Sequence, residues 1–398
     1  LNRKASLTVI FMTVFIDLLG FGILIPLLPT FASKELGVSD FEIGFVIAIF
    51  SLMQFFFNPV LGKLSDKIGR RPVIITSLIF TAVSYVIFSF TDTFLVLLLS
   101  RMLAGLGGSN IGVAQAYIAD ITDKSERSKG MGMIGAAFGL GFVFGPMLGG
   151  MLAEYGYAVA GFTAAGFSSL ALIFAFFFLP ESLKEKTRET KLKLKFFDFP
   201  FTVKILKMPV LGVLIIIFFV IVFSMANIYG TFALLGYKLY HFTDKQNGYL
   251  FGIIGMVGAL VQGGLIRSLS KSVKDRTLVI VGTFLMMAGL ALLPYGGNFT
   301  GIAIVAGVMA VGTGILQPTI LSMVSKFSPP DKQGAILGLN QSIGSLARVL
   351  GPLWGGFAFE YLGFPAPFLT GAAFTLLALL IAVFLLNSAK IKIAEQNV

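Results

Sequence analysis

The sequence predicts an all-α membrane protein: twelve transmembrane helices arranged as two pseudo-symmetric six-helix bundles. Composition, recurring apolar runs and an internal repeat carry this prediction. Hydrophobic residues make up 56% of the 398 and charged residues 12%, with a mean hydropathy of +0.92. That leaves too little polar surface to cover a water-soluble domain. Apolar runs of about 20 residues recur along the chain, each long enough to cross a hydrocarbon core about 30 Å thick. They are continuously apolar rather than alternating over about ten residues, which favours helices over a transmembrane barrel.

Twelve spans can be drawn, at about 6–29, 41–62, 72–91, 94–117, 130–153, 158–179, 209–236, 246–268, 277–294, 300–325, 333–359 and 364–387, with edges good to about four residues. The first lacks a small-residue cleavage site and reads as a retained helix. The fifth contains Gly145-Pro146-Met147-Leu148-Gly149-Gly150 followed by Glu154 and Tyr155, and the eleventh contains Gly351-Pro352-Leu353-Trp354-Gly355-Gly356 followed by Glu360 and Tyr361, 206 positions later. The stretch from Gly44 to Arg71 likewise resembles that from Gly248 to Arg276. The chain therefore divides into a bundle over 1–179, a basic cytoplasmic linker over 180–208 and a second bundle over 209–398. Eight cations (Lys184, Lys186, Arg188, Lys191, Lys193, Lys195, Lys204 and Lys207) crowd the linker, which reads either as a solvated tether or as a helix resting on anionic lipid.

The net charge of +11 follows the membrane. With the N-terminus inside, twenty-five of the thirty Lys and Arg residues fall on one face and only Lys34, Lys238 and Lys245 on the other. That is the positive-inside pattern; it places both termini in the cytoplasm and removes any need for a nucleic-acid partner. Short loops and both halves on one chain suit a monomer in a bacterial inner membrane.

There is no cysteine, which excludes disulfides, thiolate chemistry and Cys-based metal sites. The single histidine, His241, falls in an outer loop, and no two carboxylates share a depth. A metal site, a cofactor or catalytic residues are therefore not expected. Two parallel six-helix repeats suit a transporter that alternates access around a midplane site.

Charged residues inside the spans are the leading functional candidates, because each costs several kcal/mol unless paired or wetted. Asp17 is the only carboxylate near the centre of a span. It lies roughly 16 Å from the cytoplasmic edge and Arg101 roughly 10 Å from the outer edge, so the two depths nearly coincide. Either they form a permanent ion pair that locks two helices, or Asp17 carries a proton whose affinity changes with its exposure and pairing. Arg348 lies within span eleven, where the repeat partner is Phe142; it either caps a local carbonyl or attracts an anionic group on a substrate.

Several motifs resemble those of the major facilitator superfamily. The loop Gly62-Lys63-Leu64-Ser65-Asp66-Lys67-Ile68-Gly69-Arg70-Arg71 is similar to its signature loop; Gly62 and Gly69 permit a tight turn there, and Asp66 can accept hydrogen bonds from Arg70. The resemblance implies a latch of Gly62, Asp66, Gly69, Arg70 and Arg71 that stabilises an outward-facing state. In the second half Lys271 falls where Asp66 would be. Arg101 within Ser100–Gly108 resembles the fourth-helix motif, and Asp17–Pro29 the first-helix motif of the drug:proton antiporter branch. Gly141, Gly145, Pro146, Gly149 and Gly150 resemble the motif that marks antiporters, and their i+4 spacing makes a smooth face for a neighbouring helix.

That resemblance implies the major facilitator fold, with spans one, four, seven and ten lining a cavity, where Asn110, Gln115, Asn227, Tyr229 and Gln317 are polar candidates. Gln54, Asn58, Gln262, Asn340, Gln341 and Trp354 on spans two, eight and eleven add to them. The expected function is proton-coupled efflux of small lipophilic or drug-like molecules, of the tetracycline and multidrug kind, with Asp17 as proton carrier near Arg101. The alternative is the same fold moving an anionic metabolite, siderophore or lipid with Arg101 and Arg348, and an intramembrane enzyme or sensor is a remote third. The partners are thus a small-molecule substrate, protons and membrane lipids.

Overall fold

The structure is a computed structural model and describes residues 3–122, 127–183, 199–329 and 333–386. Every regular element among them is helical. Six of the linker cations, Lys184 through Lys195, lie outside the described residues, whereas Phe199–Leu206 forms a short helix, α9.

The chain forms two compact units. The first holds Leu1–Ser39, Ile49–Phe196 and Phe242–Gly252. It contains α1 (Arg3–Leu24), α2 (Leu27–Lys34), most of α3 (Asp40–Ile68), α4 (Arg70–Ser89), α5 (Phe94–Gly107), α6 (Ile111–Ile121), α7 (Arg127–Leu152), α8 (Tyr157–Phe178) and the start of α11 (Asp244–Leu260). The second holds Asp40–Ala48, Phe197–His241 and Ile253–Val398. It contains the start of α3, α9, α10 (Leu211–Lys238), the rest of α11, α12 (Ile266–Ser272), α13 (Asp275–Leu292), α14 (Phe299–Lys326), α15 (Gln333–Tyr361) and α16 (Ala366–Leu385). Each unit is thus one sequence half that trades the first turns of one helix, α3 or its repeat partner α11.

Small residues face inward and large apolar ones outward. On α8, Ala160, Gly161, Ala164, Ala165, Ser168, Ala171 and Ala175 are buried, while Phe162, Phe176, Phe177 and Phe178 are exposed. Close packing of small residues with apolar side chains left facing outward is what a lipid solvent rewards, because lipid tails are as apolar as leucine. Eleven helical segments among the described residues are long and apolar enough to cross a membrane. The remaining predicted span coincides with α15, which has 29 residues but carries Asn340, Gln341 and Arg348.

Local sequence breaks the long spans at defined points. Pro26 has no N–H to donate, and α1 ends at Leu24 before α2 resumes at Leu27. A 3₁₀ turn, Gly108–Asn110, separates α5 from α6, and a π turn, Val261–Leu265, follows α11. At the signature loop the turn is narrower than the sequence suggests. Gly62 stays inside α3, and only Gly69, at φ 116°, leaves helical geometry.

The glycine motifs are packing surfaces in both halves. In the first unit a Cβ on Gly145 would come 2.6 Å from the Cα of Gly22 on α1, and one on Gly141 2.8 Å from the Cβ of Leu18. In the second, a Cβ on Gly351 would come 2.7 Å from the Cβ of Ala226 on α10. Thus α7 nests on α1 and α15 nests on α10 through repeat-related glycines. The repeat also writes reciprocal ion pairs. Lys34 meets Asp244 at 2.9 Å in the first unit, and Lys238 meets Asp40 at 2.7 Å in the second; both lysines and both aspartates are 204 positions apart. With Lys245 on Glu154 at 3.1 Å, all three lysines expected on the outer face are paired.

Candidate functional site

Two buried polar clusters stand apart from the apolar packing, one in each unit. In the first, Asp17 on α1 is only 8% exposed. Its Oδ1 accepts a 2.8 Å hydrogen bond from the Ser168 hydroxyl on α8, and the Asn110 side chain supplies a second hydrogen bond. The 3₁₀ turn at Gly108–Asn110 brings Asn110 to that carboxylate. Gly20, one turn along α1, packs against the Ala164 carbonyl and the Ser168 hydroxyl, which lets α8 approach closely enough for its serine to reach Asp17.

Arg101 is buried as well, at 3% exposure, but it forms no ion pair with Asp17. Its guanidinium lies 5.8 Å from the ring centre of Tyr85 and 5.7 Å from that of Phe88, a cation–π arrangement. Nε donates weakly to the Ser100 hydroxyl at 3.4 Å, and one terminal nitrogen has no partner. Asp17 and Arg101 therefore keep separate surroundings, with the buried Tyr85 in electrostatic range of both.

In the second unit a cavity of about 330 Å³ is lined by Phe218, Ile221, Val222, Met225, Tyr229, Gln262, Gln317, Pro318, Leu321, Gln341 and Arg348. Five of the residues proposed from sequence meet here: Tyr229, Gln262, Gln317, Gln341 and Arg348. The π turn after α11 holds Gln262. The single cation on the wall, Arg348, donates to the Ser345 hydroxyl at 3.0 Å and has no carboxylate partner among the described residues.

The other polar candidates lie elsewhere. Gln54 donates to the Gly108 carbonyl at 3.0 Å, bracing the 3₁₀ turn, while Asn58 and Gln115 are exposed and outside the cavity. Asn227 is fully buried and donates to the Pro367 carbonyl. Asn340 is also fully buried, with neither amide atom bonded. Trp354 donates to the Thr370 hydroxyl at 3.0 Å and packs edge-on against Phe374, so it joins α15 to α16 rather than facing the cavity.

The signature loop forms a dense network. Arg70 pairs with Asp66 at 2.6 Å and with Asp120 at 3.1 Å and donates to the Ser65 hydroxyl at 2.6 Å. Glu181 accepts from the backbone N–H groups of Arg70 and Arg71 at 2.9 and 3.2 Å, capping the positive end of α4. Ser182 donates to Asp120 at 3.0 Å, and Arg71 to the Phe176 carbonyl. In the second half, where Lys271 stands in for the acid, Arg276 instead donates to the Val383 carbonyl at 2.8 Å, and Asp275 pairs with Lys326 at 2.7 Å.

A helical bundle with this loop network, a mid-span aspartate and repeat-related glycine motifs also matches at the level of whole families. The family model described as Major Facilitator Superfamily matches residues 10–352 and 265–397. The chain belongs to the Major Facilitator Superfamily. Its relatives include Major facilitator superfamily domain-containing protein 10 of Homo sapiens, 29% identical over 94% of this chain and 92% of that one. Multidrug resistance protein 1 of Bacillus subtilis (strain 168) is 30% identical, with 90% of this chain and 91% of the relative covered. The class C tetracycline resistance protein of Escherichia coli is 29% identical over 89% of each. Among solved structures, that of the human organic anion transporter MFSD10 superposes with a TM-score of 0.72 at 25% identity, over 96% of this chain and 100% of that one. Membership of this superfamily makes the chain an integral membrane transporter with a small-molecule substrate, and not an enzyme.

Proposed function

We propose that the chain is a proton-coupled exporter of small, mostly apolar organic molecules, working by alternating access with Asp17 as its proton carrier. The observation that carries this is the setting of Asp17. It is a buried mid-span carboxylate held by the neutral donors Ser168 and Asn110 and free of any ion pair with Arg101. A carboxylate fixed by a salt bridge resists protonation, because losing its charge strands the partner cation. One fixed by hydroxyl and amide groups can gain or lose a proton without breaking such a pair. Ionisable groups within membrane spans are rare, and they mark proton and substrate pathways.

The cavity of the second unit offers the cargo an amphipathic pocket, with aliphatic and aromatic walls and a few polar anchors. The names of the tetracycline and multidrug resistance relatives agree with export of such compounds. Proton and cargo then act on one conformational equilibrium from different residues, since no member of the Asp17 cluster lines that cavity. The network of Asp66, Arg70, Asp120 and Glu181 is the latch that biases this equilibrium. The exporter is read as a monomer with both termini cytoplasmic, in a bacterial inner membrane by the pattern of its short loops.

The test is uptake of a fluorescent lipophilic dye into proteoliposomes with an imposed pH gradient. Accumulation driven by the gradient is expected for the parent and is lost in Asp17→Asn, which keeps the hydrogen-bonding shape and removes the titration. Full gradient-driven uptake by Asp17→Asn contradicts the assignment.

A further inference from the structure

Resting on the reading of the second-unit cavity as the place where cargo binds, we propose that this cavity selects organic anions: small amphipathic molecules whose carboxylate or comparable anionic group seats on Arg348.

The first argument is the balance of charge. A guanidinium offers five N–H donors, and withdrawing it from water costs several kcal/mol unless a counter-charge or good acceptors replace the solvent. The one side-chain acceptor that Arg348 finds among the described residues is the Ser345 hydroxyl at 3.0 Å. The nearest carboxylate in its own helix sequence, Glu360, is committed instead to the backbone N–H of Phe41 at 2.8 Å. Arg348 therefore faces the cavity with its charge uncompensated by the described residues.

The second argument comes from the internal repeat. Asn340, Gln341 and Arg348 on α15 correspond, 206 positions earlier, to Ile134, Gly135 and Phe142 on α7. Phe142 fills its place by packing on Phe21 with ring centres 5.9 Å apart, so the fold does not need a cation at this position. Gln341 and Arg348 are seven residues apart and share one helix face. Polarity has been placed on that face of one repeat only, at a cost in apolar character visible in α15.

The third is the contrast with Arg101, which is also unpaired. Aromatic rings cover that guanidinium, and it lines no described cavity. Arg348 opens on about 330 Å³ whose remaining wall combines apolar side chains with glutamine amides. Such a wall suits an apolar body with one anionic head, and a planar guanidinium matches a carboxylate through two parallel hydrogen bonds.

The experiment is binding to the purified full-length protein in phosphatidylcholine nanodiscs, comparing 2-naphthoxyacetate with its neutral amide by naphthalene fluorescence after subtraction of empty discs. The acid is expected to bind at least about tenfold more tightly than the amide. Arg348→Gln removes this preference, and Arg348→Lys keeps part of it, since a lysine retains the charge but not the fork. Equal binding of acid and amide by the parent, including binding of neither, overturns the proposal without recourse to any variant. So does a preference that survives Arg348→Gln. A preference abolished when the discs contain phosphatidylglycerol assigns the site to an acidic lipid headgroup and overturns the small-molecule cargo. Binding reads nothing of the proton: an Arg348-dependent preference in a protein that fails gradient-driven transport sinks the exporter reading and leaves the anion site standing.

Discussion

Asp17, Glu181 and Arg348 show three ways of keeping a charge in or near a membrane. Asp17 is held by neutral donors, Glu181 by the N–H groups at the start of α4, and Arg348 by one hydroxyl and an open cavity. The sequence picks out Asp17 and Arg348 because a charge inside an apolar run is conspicuous. It does not pick out Ser168, since a serine in a stripe of alanines and glycines reads as helix packing, and its hydroxyl gains meaning only when α8 lies on α1. Asp120 and Glu181 are hidden for a related reason: both sit at span ends, where a carboxylate is ordinary, and their roles depend on Arg70 arriving from elsewhere in the chain. At this scale the signature-loop network makes a prediction. Gly69 is at φ 116° with the Glu181 carboxylate packed where a Cβ would stand, so Gly69→Ala adds both backbone strain and a clash. Glu181→Ala removes two acceptors from the first turn of α4. Each change is expected to cost about 1–3 kcal/mol, read as a lower thermal midpoint of the detergent-solubilised protein. Substituting the exposed Lys67 is expected to leave the midpoint unchanged.

Helices were legible where hydropathy alone defines them, and less so where polarity or backbone irregularity intervenes. The π turn at Val261–Leu265 and the 3₁₀ turn at Gly108–Asn110 hold glycines, Gly263 and Gly264 in one and Gly108 in the other, which loosen a helix without fixing the irregular turn it adopts, yet these turns set where Gln262 and Asn110 point. Pro26 lies at the break between α1 and α2, but a proline alone does not announce one: Pro59, Pro146, Pro318 and Pro352 all sit inside continuous helices. The glycine motif was legible as a smooth face, but its partner was not. The structure supplies α1 for α7 and α10 for α15, with Gly22 opposite Gly145. Gly145→Leu should therefore force α7 away from α1 and destabilise the protein by roughly 1–3 kcal/mol or more, seen as reduced yield of monodisperse protein and a lower thermal midpoint. Gly135→Leu on the same helix is expected to be tolerated, because a Cβ there meets nothing within 4 Å. Equal effects of the two substitutions would contradict nesting through the motif.

On the scale of the whole molecule, the internal repeat is the most informative feature of the sequence. It predicts two bundles, and it explains why Lys34–Asp244 and Lys238–Asp40 occur as a reciprocal pair. What it does not foretell is that α3 and α11 each begin in one unit and end in the other, since the match from Gly44 and from Gly248 runs along both helices without marking where their neighbours change. In the proposed function the halves divide the work: a proton-carrying aspartate in the first and a cationic, glutamine-lined cavity in the second. That division is the central claim, and it is tested most directly by following protons rather than cargo. Proteoliposomes containing the protein and trapped pyranine, with no imposed pH gradient, receive a concentration gradient of a transported dye, and internal pH is recorded. The account predicts dye-driven proton movement in the direction opposite to the dye for the parent, and none for Asp17→Asn although the variant still binds the dye. Proton movement undiminished in Asp17→Asn, or dye transport by the parent with no accompanying pH change, would contradict it.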